Sequence, residues 1–274
     1  MNKLLKVLAT GALTLSLVAC GGGAKDSGAA AQDDKTIKVG ATAIPHAMIL
    51  NDVVKDTLAE DGWTLEVVEF SDYVQPNTAV EEGELDANYF QTKGYLDDQN
   101  ESRGMHLKEV AGIHYEPMTI FSKEYKDLSE IKDGDTIAIP NDTDNEKRAL
   151  VVADAAGLIK YDAEKAVDSP LDGIVENKLN IKFQEVEAAN VPQVNDDVNA
   201  LIVNGNYALE SKIKDRANNL FVEVPDIAAR TNYVVVKEGN ENSEKIQALV
   251  KAITSDKVKA YIEENYGSAV VCVF

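Results

Sequence analysis

Glu84-Leu-Asp-Ala-Asn-Tyr-Phe-Gln-Thr-Lys-Gly-Tyr-Leu-Asp-Asp-Gln-Asn100 decides how this chain is read. It sets three aromatics, Tyr89, Phe90 and Tyr95, among amides and carboxylates in a protein that is only 6% aromatic. An apolar run bounded by polar turn residues is normally a strand feeding a core. Here the rings arrive where the strand runs out, so some of them are expected to face a cleft. Aromatic walls with a few polar groups suit a small-ligand pocket. The same three rings could equally be packed inside, and the rest of the chain has to decide.

Outward from this stretch, strand and helix signals alternate. Thr36 to Thr42 reads as a strand, followed by a helix with Ala47, Leu50, Val54 and Leu58 at helical spacing. Leu65–Phe70 is the next strand, and Pro76-Asn77 opens a short helix that Gly83 closes. Leu107–Ile113 and Met118–Ser122 read as strands joined by His114-Tyr-Glu-Pro117. Thr136–Ile139 runs through Pro140-Asn141 into a helix from about Asn145 to Ala156. Further strands are expected at Ile181–Val186, Ala200–Val203, Phe221–Val224 and Tyr233–Val236. Two amphipathic helices finish the chain, with Ser255 as the expected N-cap between them. Such alternation predicts an α/β protein with mostly parallel sheets covered on both faces.

At the N-terminus, Lys3 and Lys6 precede an apolar run, Leu4 to Val18, ending in Leu17-Val-Ala-Cys20. A basic segment, a short apolar segment and small residues before the cut describe a secretory signal, too short for an ordinary membrane span. The Cys at the cleavage point resembles a bacterial lipobox, which implies removal of residues 1–19 and diacylation of Cys20. Residues 20–35 contain no large apolar side chain and cannot offset their own ordering entropy, so they are expected to be a flexible tether. The expected location is extracytoplasmic, on the cell membrane. With Cys20 lipidated, only Cys272 remains and no intramolecular disulfide can form. Loss of Lys3 and Lys6 takes the formal charge from −20 to −22 (−20 − 2). So acidic a surface argues against nucleic acid and against a basic membrane-binding patch.

Catalysis finds little support: there is no nucleophile elbow, no zinc-protease helix motif and no phosphate-cradling glycine loop. The three histidines, His46, His106 and His114, are scattered, so a metal site is the alternative reading rather than the first. A site for a carboxylate fares better. Arg148 falls in the first turn of the helix after Pro140-Asn141, where a planar guanidinium can bind a carboxylate bidentately. Its bland alternative is an exposed pairing with Asp144, one turn earlier. Asn204-Gly-Asn-Tyr207, at the end of the strand Ala200–Val203, is either a plain turn or a ligand-facing strand end. Asn232 is a third amide at a strand boundary.

Six segments taken together resemble the NlpA/MetQ family of methionine-binding lipoproteins. They are Thr42-Ala-Ile-Pro-His-Ala47, Asp86-Ala-Asn-Tyr-Phe-Gln91, His114-Tyr-Glu-Pro-Met118, Ile139-Pro-Asn-Asp142, Asn145-Glu-Lys-Arg-Ala-Leu150 and Asn204-Gly-Asn-Tyr-Ala208. They occur in order over nearly the whole mature chain. The resemblance implies a substrate-binding protein of an ABC importer: a two-lobed periplasmic-binding-protein-like fold (type II) with two crossover strands and the ligand in the interlobe cleft. It also implies a permease and ATPase as partners, L-methionine or a relative as ligand, no cofactor and no catalysis. Tyr73, Phe90 and Tyr95 would line the side-chain pocket, with Thr92 and His114 beside it. Arg148 would clamp the carboxylate, and Asn204 (or Asn206) and Asn232 would hold the amino-acid backbone. The expected division is lobe 1 at 36–122 plus 229–274 and lobe 2 at 123–228, with crossovers near Pro117–Lys123 and Ala228–Val236. This chain departs from the family pattern at Thr92, where a histidine is expected, and at Gly94, where a proline is. Both departures imply a roomier pocket, with Gly94 loosening the turn that presents Tyr95.

Overall fold

The computed structural model describes residues 35–274. Cys20, the leader and the tether up to residue 34 lie outside the described residues.

The first strand, β1 (Thr36–Thr42), is flanked in parallel by β2 (Thr64–Phe70) and β3 (Ala87–Thr92). Between β1 and β2, wide π-type turns at Ala43–Ala47 and Leu50–Val54 run on into α1 (Lys55–Glu60). They lay Ala47, Leu50, Val54 and Leu58 on the sheet against Ile37 and Val39, at roughly 1.5–3 kcal/mol for each large apolar side chain fully buried. Pro76 sits in the first turn of α2 (Gln75–Glu81), where its missing N–H costs nothing. The chain leaves that helix through Gly83 at φ +78°, a left-handed conformation that glycine adopts without strain. Next, α3 (Lys93–Arg103) follows β3 with no loop between them. Thr92 is its N-cap, with Oγ1 accepting the Tyr95 N–H at 3.5 Å. Then comes β4 (Leu107–Tyr115).

At Glu116–Met118 the chain leaves this sheet and builds a second one. Its elements in order are β5 (Thr119–Ser122), β6 (Thr136–Pro140), α4 (Thr143–Ala155), a small ribbon of β7 (Lys160–Tyr161) and β8 (Ile174–Glu176), β9 (Lys182–Val186), β10 (Ala200–Val203), α5 (Gly205–Glu210) and β11 (Asn218–Val222). The chain returns through α6 (Ile227–Arg230) into β12 (Thr231–Lys237) and closes with α7 (Glu244–Ile253), α8 (Asp256–Tyr266) and β13 (Val271–Cys272). The six-stranded sheet has the order β13-β4-β12-β3-β1-β2 and the five-stranded sheet β11-β5-β10-β6-β9. Each has its own core: Ile37, Tyr89, Val234, Leu249 and Ile262 under the first, Ile120, Ile137, Leu150 and Ile202 under the second.

Several expectations change. The sheets are mixed rather than mostly parallel. β4 and β12 pair antiparallel in the first sheet, β5 and β11 in the second, because one strand of each pair carries the chain out and the other brings it back. β5 belongs to the second sheet, so the switch between sheets falls at Glu116–Met118, ahead of the expected division after residue 122. The strand expected at Phe221–Val224 lies at Asn218–Val222, ending where Glu223 turns inward. Ser255 stands at the N-cap of α8 but makes no capping bond, and its buried Oγ has no partner. The edge strand β13 gives no signal in the sequence, being two residues long.

Candidate functional site

A cavity of about 350 Å³, its opening to solvent included, lies where the two sheets face each other across the crossovers. The first sheet and its loops contribute Tyr73, Phe90, Gln91, Thr92, Tyr95 and Asn232. The second contributes Asn145, Arg148 and Asn204–Asn206, and the outgoing crossover contributes Glu116.

One wall is aromatic. Tyr73 stands 5.6 Å from both Phe90 and Tyr95, ring centre to ring centre, and stacks at 4.9 Å on Tyr207 of α5. Because strand side chains alternate faces, Tyr89 points the other way from Phe90 and is fully buried in the first core. Of the three rings that open the sequence reading, two therefore face the cavity and one packs inside.

The opposite wall is polar, and a chain of amides fixes its orientation. Asp142 caps α4, with Oδ1 accepting both the Asn145 backbone N–H (3.0 Å) and its side-chain Nδ2 (2.8 Å). Asn145 is thereby left to offer Oδ1, which accepts Asn204 Nδ2 at 2.7 Å. Asn204 Oδ1 is then left as a buried acceptor with no protein partner, on a residue that lines the cavity. Two residues on, Asn206 Oδ1 accepts the Tyr73 hydroxyl at 2.7 Å, and its buried Nδ2 has no partner. Asn232 Oδ1 lies 3.2 Å from His46 Nε2. Burial pushes the Asp142 carboxyl up to about 6, against the pull of the Asn145 bonds.

Arg148 is buried, and its partner is not Asp144. Nε and Nη2 donate to the two carboxylate oxygens of Glu223 at 2.8 and 2.6 Å, and Nη2 also donates to the Glu116 carbonyl at 2.7 Å. Nη1 has no partner among the described residues. Burial opposes ionisation of Glu223, but the Arg148 fork overrides it and holds the carboxyl below its ordinary range. Asp144 pairs instead with Arg230, at 3.3 Å.

The structure thus brings Tyr73, Phe90, Thr92, Tyr95, Arg148, Asn204 and Asn232 around one cavity. His114 does not line it. It sits behind the wall, fully buried, with Nδ1 against the Tyr89 hydroxyl and Nε2 2.6 Å from Glu116 Oε1. Asn204 and Asn206 both line the cavity, so neither is excluded. The histidines do not form a three-histidine set. His106 is exposed beside Glu81, whereas His46 and His114 are buried with ring centres 5.0 Å apart. Sequence reasoning missed Gln91, Glu116, Asn145 and Gly205. Glu116 was visible inside His114-Tyr-Glu-Pro-Met118, but nothing in that segment distinguishes a cavity carboxylate from a surface one.

Two sheets with separate cores, joined by two antiparallel passes over a polar and aromatic cavity, define a two-lobed α/β fold of the periplasmic-binding-protein kind. The chain belongs to the NlpA lipoprotein family, whose sequence profile matches residues 37–274. A lipoprotein of Ruminococcus gnavus shares the fold with a TM-score of 0.83 and 47% identity, over 88% of this chain and all of that one. A nutrient-binding protein from Burkholderia cenocepacia, solved bound to methionine, aligns with a TM-score of 0.81 and 33% identity over 87% of this chain and all of that one. The methionine-binding lipoprotein MetQ of Bacillus subtilis is 36% identical over 277 residues, 98% of this chain and 99% of its own. Among the described residues no helix is long and apolar enough to cross a membrane.

Proposed function

We propose that this protein captures L-methionine or a close relative for an ABC importer, anchored to the outer face of the cell membrane through lipid on Cys20, and that it binds its ligand without converting it. The observation that carries the reading is the cavity's unmatched polar inventory. A donor at Asn206 Nδ2 and an acceptor at Asn204 Oδ1, both buried and without a partner, stand with the Arg148 guanidinium opposite a cage of Tyr73, Phe90 and Tyr95. A buried polar group without a partner costs ~1–3 kcal/mol, so a zwitterion that satisfies several at once gains their matching together. Aromatic faces and edges favour an apolar or thioether side chain. Relatives that bind methionine support the same reading. The partners would be a permease and an ATPase. The two lobes would be the six-stranded and five-stranded units, closing on the ligand about the two crossovers.

Calorimetric titration of delipidated, ligand-stripped protein tests this, using L-methionine, a methionine-containing dipeptide, a methionine derivative and a second neutral amino acid. Binding of methionine or one of the larger relatives is the expected result, and if none binds the ligand class is wrong. Tight binding of methionine alone would remove the roomier pocket expected from Thr92 and Gly94.

A further inference from the structure

The chain passes twice from the binding cavity to a second one, and a tyrosine stands at each crossing. Ser71 and Asp72 line a cavity of about 910 Å³, its opening to solvent included, while the next residue, Tyr73, lines the binding cavity. On α5, Asn206 lines the binding cavity and the next residue, Tyr207, lines the second. The two rings stand between the cavities, stacked at 4.9 Å with 28° between their planes. Rings packed this closely leave no gap for a ligand chain to thread.

Their hydroxyls fasten the pair reciprocally. The Tyr73 hydroxyl donates to Oδ1 of Asn206, the neighbour of Tyr207, at 2.7 Å. The Tyr207 hydroxyl donates to the carbonyl of Ser71, two residues before Tyr73, at 3.2 Å. Both bonds run from the loop between β2 and α2 to α5, from the first sheet's side to the second's. Each ring is also held from behind. Asp72 Oδ1 accepts the backbone N–H groups of Val74 and Gln75 at 2.7 and 2.9 Å, which fixes the loop that carries Tyr73. Tyr207 is 4% exposed and belongs to the apolar cluster of Val191, Leu201, Val203 and Ile213. Neither ring is free to swing aside while the two sides are together.

Resting on the amino-acid reading above, which aims the ligand's side chain at Tyr73, Phe90 and Tyr95, we propose that the Tyr73–Tyr207 pair is a partition that fixes how long a side chain the site accepts. Tyr207, which stands behind Tyr73 and not on the wall of the binding cavity, sets the limit. Methionine ends against the pair, and a longer chain on its sulfur has to displace it. The class selected is α-amino acids with a side chain no longer than methionine's. With Tyr207 cut back, the tail of a longer ligand would run on into the second cavity.

The experiment titrates wild type, Tyr207→Phe, Tyr207→Ala and Tyr207→Leu with L-methionine and with S-butyl-L-homocysteine, in which butyl replaces the S-methyl group. The readout is the ratio of the two affinities, which a general loss of stability does not move. Wild type is expected to prefer methionine by about a hundredfold or more, and Tyr207→Phe, which keeps the ring, to do the same. Tyr207→Ala and Tyr207→Leu are expected to cut that preference by about tenfold or more. Equal affinities in wild type, an unchanged ratio in the shortened variants, or a Tyr207→Phe as permissive as they are would each overturn the proposal. If thermal unfolding shows that Tyr207→Ala does not fold, Tyr207→Leu decides, since it keeps apolar bulk in the cluster. If neither folds, the wild-type ratio decides. Any of these failures in a protein that binds methionine refutes only the partition. Wild type that binds neither ligand refutes the ligand class with it.

Discussion

Arg148 has five N–H groups, and the protein spends three of its hydrogen bonds on holding the side chain still. The bidentate contact to Glu223 fixes the plane of the guanidinium, and Met118 N–H and the Tyr115 hydroxyl fix Glu223 at 2.9 and 3.2 Å. Arg148→Ala should therefore act twice. It should weaken ligand binding by two or more orders of magnitude, and it should lower the unfolding free energy by roughly 3–5 kcal/mol by stranding Glu223. Arg148→Lys should restore neither fully, since an ammonium cannot make the planar contact. Denaturant unfolding without ligand, beside calorimetry, separates the two effects; unchanged stability in Arg148→Ala would deny Glu223 its role. The approach of Arg148 to the cavity was legible from a strand running through Pro140 into a helix, although α4 begins at Thr143 and sets it in the second turn, not the first. Its partner was not, since Glu223 is distant in sequence and joins it only through the return crossover. A neighbour on α4 offers a pH test. Glu146 is buried, its Oε1 has no partner, and burial followed by repulsion from Glu185 and Asp142 pushes its carboxyl up to about 7. A raised folded value means that its contribution to stability is present below the unfolded carboxyl range and is lost as pH rises through about 7. Glu146→Gln should accordingly raise the melting temperature more at about pH 8 than at about pH 5. A pH-independent difference would sink the assignment.

The first turns of α3 and α4 meet across the cleft, with α6 beside them. The Asp144 carboxylate, at the start of α4, lies 3.3 Å from Arg230 Nη1 on α6 and accepts the Thr92 hydroxyl at 3.4 Å. It also fills the space in which a side chain at position 94 would have to stand. Gly94 is thus inside a helix and closely covered, not a slack point in a turn. Thr92 points its hydroxyl at the helix end and Asp144 while still lining the cavity. The sequence could not reveal this, because Asp144 belongs to the other sheet and the approach exists only after the lobes are assembled. Asp144 and Arg230 join the two lobes without lining the cavity, so the contact should hold the cleft shut. Asp144→Ala is expected to speed ligand release by roughly 3–10-fold, the scale of ~1 kcal/mol for a partly screened contact. Stopped-flow release measures this, and an unchanged rate would show that the cluster does not restrain opening.

Taken whole, the molecule is two sheets joined twice, and ligand binding should draw them together. Solution scattering should show a smaller radius of gyration with methionine than without; identical profiles at proven saturation would leave a rigid cleft. The alternation of strands and helices was enough to read an α/β protein, but the mixed pairing depends on which strands cross, and no local signal carries that. The position of β12 has a consequence for how the chain is made. It lies between β4 and β3 at the centre of the first sheet, yet it follows every strand of the second sheet in the chain. As the polypeptide emerges, residues 119–222 can pair all their strands while β3 and β4 still present open edges to the solvent. Pairing over such sequence distances is slow. Pulse-labelled hydrogen exchange during refolding should protect the amides of β6 and β10 before those of β3, β4 and β12, and simultaneous protection would contradict this order. During export the chain would then pass through a stage with one finished sheet and one unfinished, and the unfinished one carries most of the aromatic half of the pocket.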